Sequence, residues 1–524
     1  GLMASAWPTG TTYVFVWQAN QDLIKNDHVV FRLRTQTGRV GLAPPPTGSQ
    51  SLPFRYEAPW FISVRNEDQQ PEMAAALYAA GQLITYTNRA GLVGAVNFTQ
   101  WSDLPISDLP IVALAPQHGQ RSARAAHRDD LVYTIHTSTQ TRNAAGEPQP
   151  FMTKPTGEQA LTLRRQEPLV LFNLVVSIEW PANITETQII ARGLYSASTY
   201  LYDLTDGQMA FGHVDIYDRK RHWEDADIQF EALNRVRPHA RIGGILSQVE
   251  GSVIQLGRAW DGKQGAHGPW DQPNGYRTIV HEFGHYALHL YDEYLVPIFA
   301  PGNPKEVIDL LEIGRCVRKV NNGAGGTPVL ASAMYDQYNT SELSDQGLLG
   351  LLWAPPCEET AQWLLSALEQ GAARSAWDAV VFYYSDPQRT DPPRTDPRWE
   401  ILKPSARRPQ RVIAGPTRLL TGLPDWPTTT LSFSERTGAH RQLTVVDEQN
   451  QPLANTSVAM LKADGQMRIE QGVTNDTGQI ELYGAETGDR VDARYAKADL
   501  FGSVVLGTEA TLTLQLTSQH APEP

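Results

Sequence analysis

The chain has 524 residues, too many for a single hydrophobic core, and a prior of roughly 150 residues per domain gives three or four units. Hydrophobic residues make up 41% and charged residues 19%, with 13 Trp and 19 Tyr, which excludes an intrinsically disordered chain. The net charge of −13 repels phosphate backbones and anionic membranes, so nucleic acid is not an expected partner, and no apolar run reaches the ~20 residues that a transmembrane helix needs.

Gly1-Leu2-Met3 opens neither a signal peptide nor a charged targeting region, so we expect a mature form or a fragment. Residues 1–165 carry short β-branched and aromatic runs, Thr12 to Trp17 and Val29 to Leu33, broken by Pro-rich stretches such as Ala43 to Gly48. They read as a β-rich region of one or two modules, with a helical run around Met73 to Ala80. From residue 166 the pattern changes. An apolar run from Leu169 to Ile178 predicts a buried strand. Thr185 with Gln188 forms a capping-box signature, after which Ile190, Leu194, Ala197 and Leu201 recur at helical spacing up to Asp206-Gly207. Strands are expected at 209–217, 226–231 and 252–258, then a helix through residues 278–288, and a last helix from Glu358 to Phe382. Residues 386–437, rich in Pro, Arg, Asp and Thr, read as an extended linker. Residues 438–524 read as seven or so short strands with turns at Asp464-Gly465 and Thr477-Gly478, a small β-sandwich expected to be separable from the rest.

The segment Thr278-Ile279-Val280-His281-Glu282-Phe283-Gly284-His285 carries H-E-x-x-H inside an apolar helical run. Histidines at i and i+4 stand about one turn apart on one helix face, so both imidazoles can reach one zinc ion. Glu282, beside them, is placed to serve as general base toward an activated water. A catalytic zinc usually takes a third protein ligand, for which Asp292, His289, Glu293, Glu306 and Glu312 are candidates. On a straight helix His289 lies ~12 Å and Asp292 ~16 Å along the axis from His281, so Asp292 becomes available only where the chain bends back after Leu288.

The run His281-Glu282-Phe283-Gly284-His285-Tyr286-Ala287-Leu288-His289-Leu290-Tyr291-Asp292-Glu293-Tyr294 resembles the H-E-x-x-H-x-x-x-G-x-x-D-E-Y signature of the metalloprotease domain of calcium-activated chloride channel regulators, relatives of the metzincins. The resemblance covers about fourteen residues and departs from the family at His289, where the family has Gly. It implies an α+β fold with a mixed twisted sheet and an active-site helix, one zinc per chain on His281, His285 and Asp292, and Glu282 as general base. Ala331-Ser332-Ala333-Met334-Tyr335-Asp336 resembles the methionine turn beneath a metzincin metal, with Met334 packing under the imidazoles and Tyr335 as a candidate oxyanion stabiliser. Cys316 and Cys357, the only two cysteines, bracket that turn, so we expect a disulfide, against the alternative of two buried thiols. The terminal module resembles a transthyretin-like or carboxypeptidase-regulatory β-sandwich.

The expected function is a zinc endopeptidase, secreted or at a cell surface or in the periplasm, acting on protein or peptide substrates, with β-modules for surface or glycan contacts. Two alternatives stand beside it: an inactive metzincin-like scaffold, and a zinc peptidase of the glutamate-ligand type with Glu306 or Glu312, on a following helix, as third ligand.

Overall fold

A computed structural model describes most of residues 60–94, 157–300 and 438–518, with shorter stretches within 25–57, 110–152 and 303–342 and at 376–385 and 428–432. Among the described residues the protein is mixed α+β, rich in strands with few helices. Thr12 to Trp17, Cys316, Cys357, Glu293, Tyr335 and most of the expected helix from Glu358 lie outside the described residues; the helix is described as Ala376–Ser385.

The chain divides into two compact units, one built from residues 1–115, 136–165 and 420–424, the other from 116–135, 166–419 and 425–524. In the first, Trp60–Asn66 runs parallel to Gly157 to Leu163 and antiparallel to Leu92–Gly94. Its small core holds Ile62, Val64, Leu77, Ile111, Leu161 and Leu163. The helix expected around Met73 to Ala80 is instead the strand Ala76–Ala79, paired antiparallel to Gln82–Tyr86 and to Pro110–Pro116. Its alanines favour helix, but propensity is a weak prior, and burial of Leu77 between two neighbouring strands overrides it.

The second unit is centred on the end of the strand Gly157–Ile178. Its near-continuous apolar run is buried on both faces, as a central parallel strand requires. From one edge to the other the sheet runs Thr428–Ser432, Met209–Tyr217, Val170 to Ile178, Ile228–Glu231, Ile254–Gly257 and His239–Ala240. All are parallel except His239–Ala240, which pairs antiparallel and forms the rim. The expected linker thus ends in a strand, because Thr428, Thr429 and Thr430 suit a pleated edge.

The helix Ile184–Leu204 buries Ile190, Leu194, Ala197 and Leu201 in the shared core, each Leu or Ile contributing roughly 1.5–3 kcal/mol. Its capping box lies two residues earlier than the Thr185 and Gln188 pair suggests. Asn183 accepts from the Glu186 amide (3.0 Å), and Glu186 accepts from the Asn183 amide (2.8 Å). Asn183 satisfies the orphan donors as well as a Thr does, so the sequence offered two equivalent starts.

The seven strands from Ala439–Val446 to Thr511–Gln515 form a three-stranded and a four-stranded sheet. Leu443, Val445, Met460, Leu482 and Val491 join the same continuous core as the strands around Phe172 and Phe230. Contact is close enough to demand a small residue: a Cβ on Gly484, at φ +68°, would lie 2.6 Å from Pro181 Cδ and 2.8 Å from Trp180 Cβ.

Candidate metal centre

The motif helix spans Pro273–Leu288, with Pro at its first turn, where a missing amide costs nothing. From Tyr276 to Leu288 nearly every side chain is buried, so this helix runs through the core. Phe283 fixes it against the sheet, with edge-to-face contacts of 4.9 Å to both Phe172 and Phe211. Tyr286 donates to Asp227 Oδ1 (2.6 Å), whose other oxygen accepts the Val175 amide (2.7 Å). One buried carboxylate thereby joins the helix to the central strand.

The helix ends at His289 in the left-handed conformation, φ 59° and ψ 28°. The amides of His289 and Leu290 both turn back to the Gly284 carbonyl, the latter at 3.1 Å. A non-glycine residue holds this strained position because its ring is packed: His289 is buried against Gly243, where a Cβ would come within 2.6 Å of the imidazole. The Gly243 amide also donates to the His285 carbonyl (2.9 Å). The bend carries Asp292 back past the motif histidines.

Asp292 Oδ1 lies 3.1 Å from His281 Nε2 and 3.3 Å from His285 Nε2. The other ring nitrogens settle the tautomers, because His281 Nδ1 faces the Ala333 carbonyl (2.8 Å) and His285 Nδ1 faces the Leu290 carbonyl (2.7 Å). A carbonyl only accepts, so each Nδ1 carries the hydrogen, and in the neutral ring each Nε2 offers a lone pair. In that form the two imidazoles, 4.9 Å apart at 85°, converge with the carboxylate, and no other hydrogen-bond donor among the described residues reaches Asp292 Oδ1. Three acceptors facing one point could hold a cation.

The spacing can be tested against a metal. Zinc bond lengths of ~2.0–2.2 Å in a tetrahedron put ligand atoms about 3.3–3.6 Å apart, close to the two distances from Asp292, and all three ligand atoms lie within 4.8 Å of one another. Electrostatics agree. Burial pushes the Glu282 carboxyl up, the neighbouring imidazoles only partly offset it, and Glu282 Oε2 is buried with no hydrogen-bond partner. A divalent cation beside it would reverse that shift. Burial also opposes ionisation of Asp292, but the two facing imidazoles, when protonated, hold its carboxyl below the usual carboxylate range, as a cation between them would.

Met334 is fully buried beneath the helix, and a Cβ on Gly284 would lie 2.7 Å from its sulfur. The same segment supplies the Ala333 carbonyl that orients His281. Glu306 and Glu312 lie in the strand Asn303–Glu312, which pairs antiparallel to Leu295–Ala300, so the helix on which the glutamate-ligand alternative placed them is a hairpin. Val307, Leu310 and Leu311 favour this pairing once a neighbouring strand is present. The carbonyls of Ala333 and Leu290, the Asp227 tie and Gly243 escaped sequence reasoning, since backbone acceptors leave no mark in a residue string. The Gly284 and Met334 pair had a faint signal, a glycine inside a helix.

No family model matches the chain, and no curated protein matches it in sequence.

Proposed function

We propose that the chain is a zinc-dependent endopeptidase of metzincin-like type, with His281, His285 and Asp292 as metal ligands and Glu282 as general base. One observation carries the reading: two imidazole nitrogens and a carboxylate oxygen converge within 4.8 Å of one another beside a buried glutamate whose Oε2 has no hydrogen-bond partner among the described residues. The strand–helix order before the motif, the left-handed break at His289 and Met334 beneath the helix support the metzincin-like assignment.

A zinc ion held by these residues would supply Lewis acidity, acidifying water and polarising a peptide carbonyl. The Ala333 and Leu290 carbonyls hold the two Nδ1 hydrogens, which would leave both Nε2 atoms available to a bound ion. Glu282 takes a proton from the attacking water and passes it to the leaving amine. The rim strand His239–Ala240 packs beside the motif helix. The rim strand is the last in the sheet order, and an extended polypeptide adding to its outer side would have its backbone aligned beside the motif helix. This supports protein or peptide chains as the substrate class.

The test is to incubate wild type and Glu282→Gln with a mixed-protein substrate and map new termini. The expected result is cleavage by wild type and a loss of about 10²–10⁴-fold in the variant, which keeps its zinc. Equal cleavage by both proteins would remove Glu282 from the mechanism.

A further inference from the structure

The rim strand His239–Ala240 is only two residues long and follows a connection, residues 232–238, that leaves the sheet after Glu231. The C-terminal sandwich grips that connection. Asn234 is buried; its Nδ2 donates to the Val473 carbonyl (2.9 Å) and its Oδ1 accepts the Val473 amide (3.2 Å). A side-chain amide thus pairs with a backbone as a neighbouring strand would, at the end of Arg468–Val473. Gly472, at φ +107°, makes room for it, since a Cβ there would lie 2.0 Å from Asn234 Oδ1. Arg235 adds a bond to Asn455 (2.6 Å).

The strand that pairs with the rim is held from the same side. Arg258, directly after Ile254–Gly257, donates to the Glu481 carbonyl (2.7 Å) and lies over the Tyr483 ring at 4.5 Å. Val236 is buried against Gly257, where a Cβ would come within 3.2 Å of the Val236 carbonyl. Both chain segments that fix the rim therefore end on the sandwich.

We infer that the C-terminal sandwich positions the rim strand through Asn234, and so sets how firmly an extended polypeptide is held beside the metal centre. The inference rests on the peptidase reading for its substrate, but the geometry it concerns is independent of catalysis. Asn234 is a positioning residue, since it acts on the rim strand only through the 232–238 connection. Its bidentate pairing cannot be replaced by packing alone, because removing the amide leaves the Val473 N–H and C=O without the partner they have there.

The experiment compares full-length wild type, Asn234→Ala, Gly472→Ala and the milder Asn234→Asp by hydrogen–deuterium exchange, zinc content and steady-state cleavage of a long quenched peptide. In Asn234→Ala and Gly472→Ala, amides of residues 235–240 should exchange about tenfold faster while those of 281–288 keep the wild-type rate. KM should rise about fivefold with kcat changed by less than about twofold, and zinc should be retained. Asn234→Asp, which keeps the acceptor, should fall between. Unchanged exchange at 235–240 would overturn the inference, as would accelerated exchange across the whole motif helix with loss of zinc, which would make Asn234 a general stability residue. A wild type that cleaves no peptide would defeat the peptidase reading alone, and the exchange pattern would still decide the role of Asn234.

Discussion

Asp292 is the residue on which the proposed donor set turns, because without it only two imidazoles would remain and no anionic ligand would balance a bound ion. Asp292→Ala should lower zinc content well below stoichiometric, while Glu306→Ala and Glu312→Ala should leave it unchanged; metal analysis of the purified variants checks this. Beneath the helix, Gly284 and Met334 are coupled by contact. Gly284→Ala should destabilise by ~1–3 kcal/mol through overpacking, and the cost should shrink when combined with Met334→Ala in a denaturant double-mutant cycle. Tyr286→Phe leaves Asp227 with one bond fewer in a buried setting, so a loss of ~1.5–3 kcal/mol is expected from the same unfolding measurement.

At the scale of elements, the end of the motif helix is where stability and function meet. His289 in the left-handed region bears a strain of ~1–2 kcal/mol that Gly would relieve, at the expense of the ring's contact with Gly243. His289→Gly should therefore keep zinc and stay within about 1 kcal/mol of wild type, whereas the β-branched His289→Val should lose both stability and zinc. The i, i+4 histidines inside an apolar run made this helix legible from sequence, since that spacing needs only local geometry. The strands 209–217, 226–231 and 252–258 were legible for the same reason, and they form within a few residues of those limits. What the sequence hid was strand pairing. Ala76–Ala79 is a strand because Gln82–Tyr86 and the more distant Pro110–Pro116 flank it, and Asn303–Glu312 is one because the preceding Leu295–Ala300 pairs with it. The bend at His289 was visible only as a requirement, for it depends on Gly243, forty-six residues earlier, to admit the ring.

Across the whole second unit, the sandwich and the parallel sheet share one core and a set of polar ties. The sequence suggested a separable module because its strand pattern is self-contained, but His440 bonds both Glu186, in the capping box of Ile184–Leu204 (2.7 Å), and Glu481 (3.0 Å). Burial disfavours the charged imidazole there, yet the two carboxylates win and raise His440 from 6.5 to about 9, with the Tyr483 ring tilted against it at 4.1 Å and Arg258 over that tyrosine at 4.5 Å. A raised folded-state value means the charged form is bound more tightly in the native protein. The contribution is therefore complete below pH 6.5 and lost as pH rises through about 9. The melting temperature of wild type should fall across that window more steeply than that of His440→Gln, as read by calorimetry in a pH series. Removing residues 438–524 should expose Trp180 and Pro181 and destabilise the sheet that supports the motif helix.

The most direct test of the metal centre is anomalous diffraction at the zinc absorption edge from crystals of the full chain. The account predicts a single strong peak about 2.0–2.2 Å from His281 Nε2, His285 Nε2 and an Asp292 carboxylate oxygen, within reach of Glu282 through one water. A zinc-supplemented crystal with no peak between those three atoms, or with zinc bound there by a ligand other than Asp292, would contradict it.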